Sequence, residues 1–229
     1  MIASIGRRRI ALALCMSAAL AGCGGLFHSD ARPEQVYILR AAPIPGDAPG
    51  GDSLAGRSVT ALGPVAASLR VNRPSANPGL DSTQIVLVES DRRMSFFTGS
   101  RWAAPASNQL EMLAVEKLRG SGTWQSVADS TSAFPSDYVL QATIRRFEAD
   151  YTGGQAAPEV HVVLDCLVGR REGREVIANF LATGSAQATT NRMSAVVPAF
   201  EAATNAALDS LAIKTAEAVR TSLAHKTAQ

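Results

Sequence analysis

The sequence predicts an α+β domain: a two-layer arrangement in which a mostly antiparallel or mixed β-sheet is packed by two main helices. Three observations carry this. Short stretches of alternating apolar and polar residues recur along the chain, one helix-like segment interrupts them after residue 104, and a long Ala-rich amphipathic segment closes the chain. Of 229 residues, 46% are hydrophobic and 18% charged, which supplies one sizeable core with polar appendages.

The chain opens on Met1 to Arg9, ending in three consecutive arginines, and continues through Ile10 to Leu20 without a charge. This is the pattern of a signal peptide, because so short an apolar run crosses only about half of a ~30 Å hydrocarbon core. Leu20-Ala21-Gly22-Cys23 follows, and it resembles a bacterial lipobox. The resemblance implies diacylglycerol on the Cys23 sulfur, cleavage between Gly22 and Cys23, and acylation of the new amino terminus. Three acyl chains exceed the two signals that stable membrane attachment needs. The alternative is a short ordinary signal with an incidental cysteine. On the lipobox reading, residues 1–22 are the signal, 23–34 a lipidated flexible leash and 35–229 the domain.

Within the domain, Val36 to Arg40 reads as a short strand and Ala41 to Arg57 as a Pro- and Gly-rich spacer. Strands are expected at Ser68–Asn72, Gln84–Glu89 and Met94–Thr98, the last two joined as a hairpin across Ser90-Asp91-Arg92-Arg93. Pro105 to Arg119 reads as a helix. Leu110, Leu113, Ala114 and Leu118 share one face, and Gly120 stands where a left-handed cap is expected. A strand follows at Thr123–Val127. In the next, Tyr138–Tyr151, Leu140, Ala142 and Ile144 alternate in one phase and Phe147, Ala149 and Tyr151 in the other, which predicts a β-bulge near Arg145 and Arg146. Strands 160–169 and 175–187 continue a meander through the turn "GRREGRE". From Ser194 to about Lys226, Val197, Phe200, Thr204, Leu208, Leu211, Thr215, Ala218 and Val219 recur at helical spacing. The abundant alanines allow this helix to pack closely on a sheet.

Charge and cysteine content narrow the function classes. Loss of residues 1–22 removes Arg7, Arg8 and Arg9 from 22 basic residues and none from 20 acidic ones, leaving the mature chain at −1. Such a balance gives no electrostatic case for nucleic acid. Cys166 remains the single thiol of the domain, so no internal disulfide is available. It shares a strand face with Val160, Val162, Leu164 and Val168, which makes it a buried, inert thiol. No phosphate-binding G-x-x-x-x-G-K-[ST], no G-x-S-x-G and no H-E-x-x-H occurs. His161 and Asp165 share a strand face, but at ~3.3 Å per residue they lie about 13 Å apart, too far to pair. No catalytic residue, metal or cofactor is expected.

The stretch "GLDSTQIVLVESDRRMSFFTGSRWAAPASNQLEMLAVEKL" resembles the ABC-type transport auxiliary lipoproteins. The matching features are Gly79-Leu80-Asp81-Ser82 leading to Ile85, the pair Phe96 and Phe97, and Arg101-Trp102-Ala103 before Pro105. Asp137-Tyr138-Val139-Leu140, Phe147 with Glu148, and Val197 with Ala199 and Phe200 continue the pattern, so the resemblance spans roughly residues 36 to 220. It implies a periplasm-facing lipoprotein that accompanies an ABC transporter carrying an MCE-domain substrate-binding protein, in traffic of lipids or hydrophobic solutes between membranes. The role it implies there is structural or docking rather than chemical. Gly24 stands where an aspartate would retain a lipoprotein in the inner membrane under enterobacterial sorting, which makes the outer membrane the expected anchor. A homo-oligomer remains open, as does a structural envelope lipoprotein binding cell-wall or lipopolysaccharide-assembly partners.

Phe96, Phe97, Arg101 and Trp102 are the candidate partner surface. Against that stands the habit of a Trp just before a helix, which is to pack beneath it with its N–H satisfied locally.

Overall fold

The computed structural model describes residues 33–41 and 63–227. The signal segment, Gly22 and Cys23, nearly all of the leash and most of the Pro- and Gly-rich spacer lie outside the described residues. The elements belong to the unit that starts at Gln35. In chain order they are β1 (Gln35–Tyr37), β2 (Val65–Val71), β3 (Ser75–Ala76), β4 (Gln84–Val88), β5 (Met94–Trp102), α1 (Ala106–Gly120), β6 (Trp124–Ala128), β7 (Tyr138–Asp150), β8 (Glu159–Arg170), β9 (Glu175–Gln187) and α2 (Met193–Thr227). This is the α+β class that the sequence predicts.

Strand β7 is the spine of a nine-stranded mixed sheet. One edge pairs antiparallel with β8 along its length, and β8 pairs antiparallel with β9. The other edge receives three short strands in succession, all parallel: β2 at 138–140, β3 at 143–144 and β4 at 149–150. Beyond β2 lies β6, parallel, and beyond β4 lie β5, antiparallel, and β1, parallel to β5. The long ladders are thus antiparallel and the short ones parallel. Parallel neighbours need long connections, and α1 sits in the connection from β2 to β6.

The bulge predicted near Arg145 is present: the β7–β8 register shifts between Ile144 and Arg146. The 90–93 hairpin also forms, with Arg92 in a left-handed conformation at φ 67° and the Glu89 N–H donating to the Arg93 carbonyl at 2.9 Å. Several boundaries differ from expectation: β1 ends at Tyr37 and not at Arg40, β2 starts at Val65 and not at Ser68, and the two-residue strand β3 was not foreseen. Strand β5 continues past Thr98 to Trp102, because Gly99 at φ 68° breaks the alternation without ending the strand. Helix α1 runs through Gly120, and the left-handed residue after it is Gly122 at φ 62°.

Both helices pack on β2 and on each other, linked by Lys117 Nζ to Asp209 Oδ1 at 2.5 Å. The α1 face foreseen from spacing, Leu110, Leu113, Ala114 and Leu118, is buried. In α2 the buried stripe is Val196, Phe200, Ala203, Ala207, Leu208, Leu211, Thr215 and Val219; Val197 and Ala218 sit half-exposed at its margin. Opposite it lies the inner face of β8, where Val160, Val162, Leu164, Cys166 and Val168 are all buried. Each such aliphatic side chain contributes about 1.5–3 kcal/mol by leaving water. Pro198 falls within α2, close to its first turn.

Candidate functional site

Among the described residues no group of three His, Cys, Asp or Glu is placed to hold a metal. His161 Nε2 lies 3.7 Å from Glu159 and 3.9 Å from Asp150, while Asp165 accepts from Arg145 at 2.7 Å. The two do not meet. Burial, and secondarily the neighbouring Asp165, push the Cys166 thiol up to about 12, which removes the thiolate that nucleophilic or redox chemistry would need.

Three of the residues carrying the family resemblance converge in the core. Trp102 from β5, Phe147 from β7 and Phe200 from α2 form one aromatic cluster, with centroids 5.9 Å (Trp102–Phe147), 5.1 Å (Trp102–Phe200, edge-to-face) and 5.2 Å (Phe147–Phe200) apart. Trp102 is wholly buried, so it offers no surface to a partner. Two further details depart from expectation: its ring partners come from β7 and α2, and its indole N–H is buried without a hydrogen-bond partner among the described residues. Phe97 is half-buried against the core, and Arg101 is half-buried with a 3.3 Å bond from Nη1 to the Trp102 carbonyl. Phe96 alone of the three aromatics is exposed. With it on β5 is Met94, and Val36 and Ile38 lie exposed on and after β1.

A second region gathers residues that periodicity could not connect. The sheet face away from α2 carries a hollow of about 790 Å³ between Arg70 on β2, the loop before β7, and the β8–β9 turn with Arg170, Arg171 and Arg174. The loop is pinned there. Asp137 Oδ2 accepts from the Ser68 amide at 2.8 Å and hydroxyl at 2.6 Å, its carbonyl accepts the Arg171 N–H at 2.9 Å, and Arg70 donates to the Phe134 carbonyl. The Ser68 hydrogen bonds hold the Asp137 carboxyl below its ordinary value. Between these anchors Ser136 is only 5% exposed, and its Oγ has no partner among the described residues. Arg170 Nη2 holds Glu175 at 2.6 Å, while its Nε is buried and has no partner among the described residues. The three arginines of "GRREGRE" were the only sequence signal for this cluster, and a polar turn explains them equally well.

Residues 53–212 match the family described as ABC-type transport auxiliary lipoprotein component. The chain belongs to that family. A Xanthomonas campestris protein of the DUF330 family is similar at 26% identity and TM-score 0.68, over 82% of this chain and 98% of its own. An uncharacterized protein (16% identity, TM-score 0.57, 81% and 99% covered) and a hypothetical protein from Chlamydia trachomatis (8%, 0.50, 68% and 98%) share the fold. No curated protein matches the chain. The auxiliary lipoprotein is thus part of a transport system, and no helix among its described residues is long and apolar enough to cross a membrane.

Proposed function

We propose that this auxiliary lipoprotein is tethered through lipid on Cys23, with its domain in the periplasm, as a non-catalytic docking component of an MCE-type ABC system. That system moves lipids or hydrophobic solutes between membranes. Family membership over residues 53–212 carries the reading. The arrangement of three of the resembling residues fits such a role, since Trp102, Phe147 and Phe200 serve to build the core. The partner is the MCE-domain substrate-binding protein, and the anchor is the outer membrane. Met94, Phe96, Val36 and Ile38 supply exposed apolar contact, and Trp102 is withdrawn from that surface. A near-neutral domain binds by shape and apolar contact, so its complex weakens only modestly with salt.

Affinity purification of the tagged, lipidated chain from mild-detergent membrane extracts tests the reading. An ATPase, permease or MCE protein should co-purify above the level seen with an unrelated lipoprotein. Recovery of cell-wall or lipopolysaccharide-assembly proteins in their place would establish the structural envelope alternative.

A further inference from the structure

We propose that the hollow between Arg70, Ser136 and the β8–β9 turn is a binding site for a phosphate group, borne on a lipid headgroup or free. Its chemistry is that of an anion receptor. Arg171 and Arg174 have no acidic partner among the described residues, and both border the hollow. Arg170 gives one guanidinium nitrogen to Glu175, the only carboxylate lining the hollow among the described residues, and keeps a buried Nε without a partner among them. Guanidinium donors are suited to phosphate oxygens, and several of them from different directions match a tetrahedral oxyanion better than a planar carboxylate.

Ser136 supplies the independent observation. A buried hydroxyl is almost always hydrogen-bonded, yet that of Ser136, a residue lining this hollow and an adjoining one that Arg170 and Arg171 also border, is enclosed and lacks a partner among the described residues. The bonds that hold Asp137 to Ser68 and Arg171 fix the residue beside it, so the hydroxyl is positioned before any ligand arrives. Arg70 is tied to the Phe134 carbonyl and shapes the rim. Val139, Leu167 and Val176 line the same hollow. They give it an apolar side against which the glycerol and first methylenes of a phospholipid would rest. The site is independent of the transport reading, which stands whether or not phosphate binds.

Purified full chain titrated with inorganic phosphate and with dihexanoyl-phosphatidic acid, followed by calorimetry, tests the site. Saturable binding is expected, weakened about tenfold or more in S136A and in the double variant R171Q/R174Q, the loss expected for a charge-assisted or buried donor. S136A removes an atom that bonds nothing among the described residues, so its melting temperature should match wild type and its loss of binding reports the ligand. Tighter binding of the phosphatidic acid by about tenfold assigns the site to a headgroup, and equal affinities assign it to free phosphate. Absence of saturable binding by both probes, or undiminished binding in either variant, would overturn the proposal.

Discussion

Replacing Gly184 by alanine should destabilise the domain sharply, even though the change usually stabilises by about 0.4–1 kcal/mol where the site can accept it. Gly184 lies on β9 against the middle of α2. A Cβ there would meet the Ala203 carbonyl oxygen at 2.1 Å, the Ala207 nitrogen at 2.7 Å and the Ala206 Cβ at 3.0 Å. The first two are backbone atoms inside a 35-residue helix and cannot swing aside. Relief requires α2 to lift about 1 Å from the sheet, and a gap of 0.5–1 Å forfeits roughly a quarter to a half of each contact it opens. The contacts at risk are those of Phe200, Ala203, Ala207 and Leu211. Overpacking of this kind costs about 1–3 kcal/mol, occasionally more, and obstruction by backbone places Gly184→Ala at the upper end. At about 2–4 °C per kcal/mol for a domain of this size, the melting temperature should fall by about 6–12 °C. Thermal unfolding by circular dichroism reads it directly. Gly153→Ala, where a Cβ meets nothing within 4 Å, is the control and should melt with wild type. A Gly184→Ala melting temperature at or above that of wild type would refute the close-approach reasoning.

Acid should act through Glu111. Burial pushes its carboxyl up, but hydrogen bonds from Ser130 and from Arg73 at 3.0 Å outweigh this and hold it below its ordinary value. A depressed folded value gives stability that is present above the unfolded value of ~4.3 and lost as pH falls through the folded one. Wild type should therefore lose melting temperature more steeply than Glu111→Gln below about pH 4, and equal acid slopes would contradict this. Cys166 should resist thiol reagents at pH 8 until denaturant is added, and Cys166→Val should fold; rapid labelling of the native protein would show the thiol to be accessible. Cys23→Ser should accumulate as unprocessed precursor without covalent lipid, read by intact mass, and a wild-type chain that begins elsewhere than residue 23 would rule out the anchor.

Side-chain periodicity was informative wherever one face of an element is buried. The phase reversal around Arg145 locates the bulge because each half of β7 must keep its apolar residues toward the helices. The Cys166 face and the α1 stripe follow for the same reason. Period two says which way a side chain points and nothing about which strand lies alongside, so the parallel placement of β2, β3 and β4 along one edge of β7 was not legible. The Ala-rich composition of α2 pointed to close packing, but the contact is made at Gly184, and a glycine inside an expected strand does not itself say which backbone approaches it. Trp102 stood beside a helix start and was a candidate for the surface. Its burial depends on Phe147 and Phe200, both distant in sequence. The arginine hollow combines residues 70, 136 and 170–174, and only the folded sheet brings those segments together.

Photo-crosslinking in living cells bears most directly on the docking role. A photoreactive amino acid is placed one position at a time at exposed residues spread over the domain, including Val36, Met94, Phe96, Met112, Phe134, Val176 and Leu181. The expected result is an adduct with the MCE-domain protein of an ABC transporter from at least one cluster of positions, little changed by moderate salt. Adducts with cell-wall or lipopolysaccharide-assembly proteins alone, and none with a transporter component from any position, would contradict it.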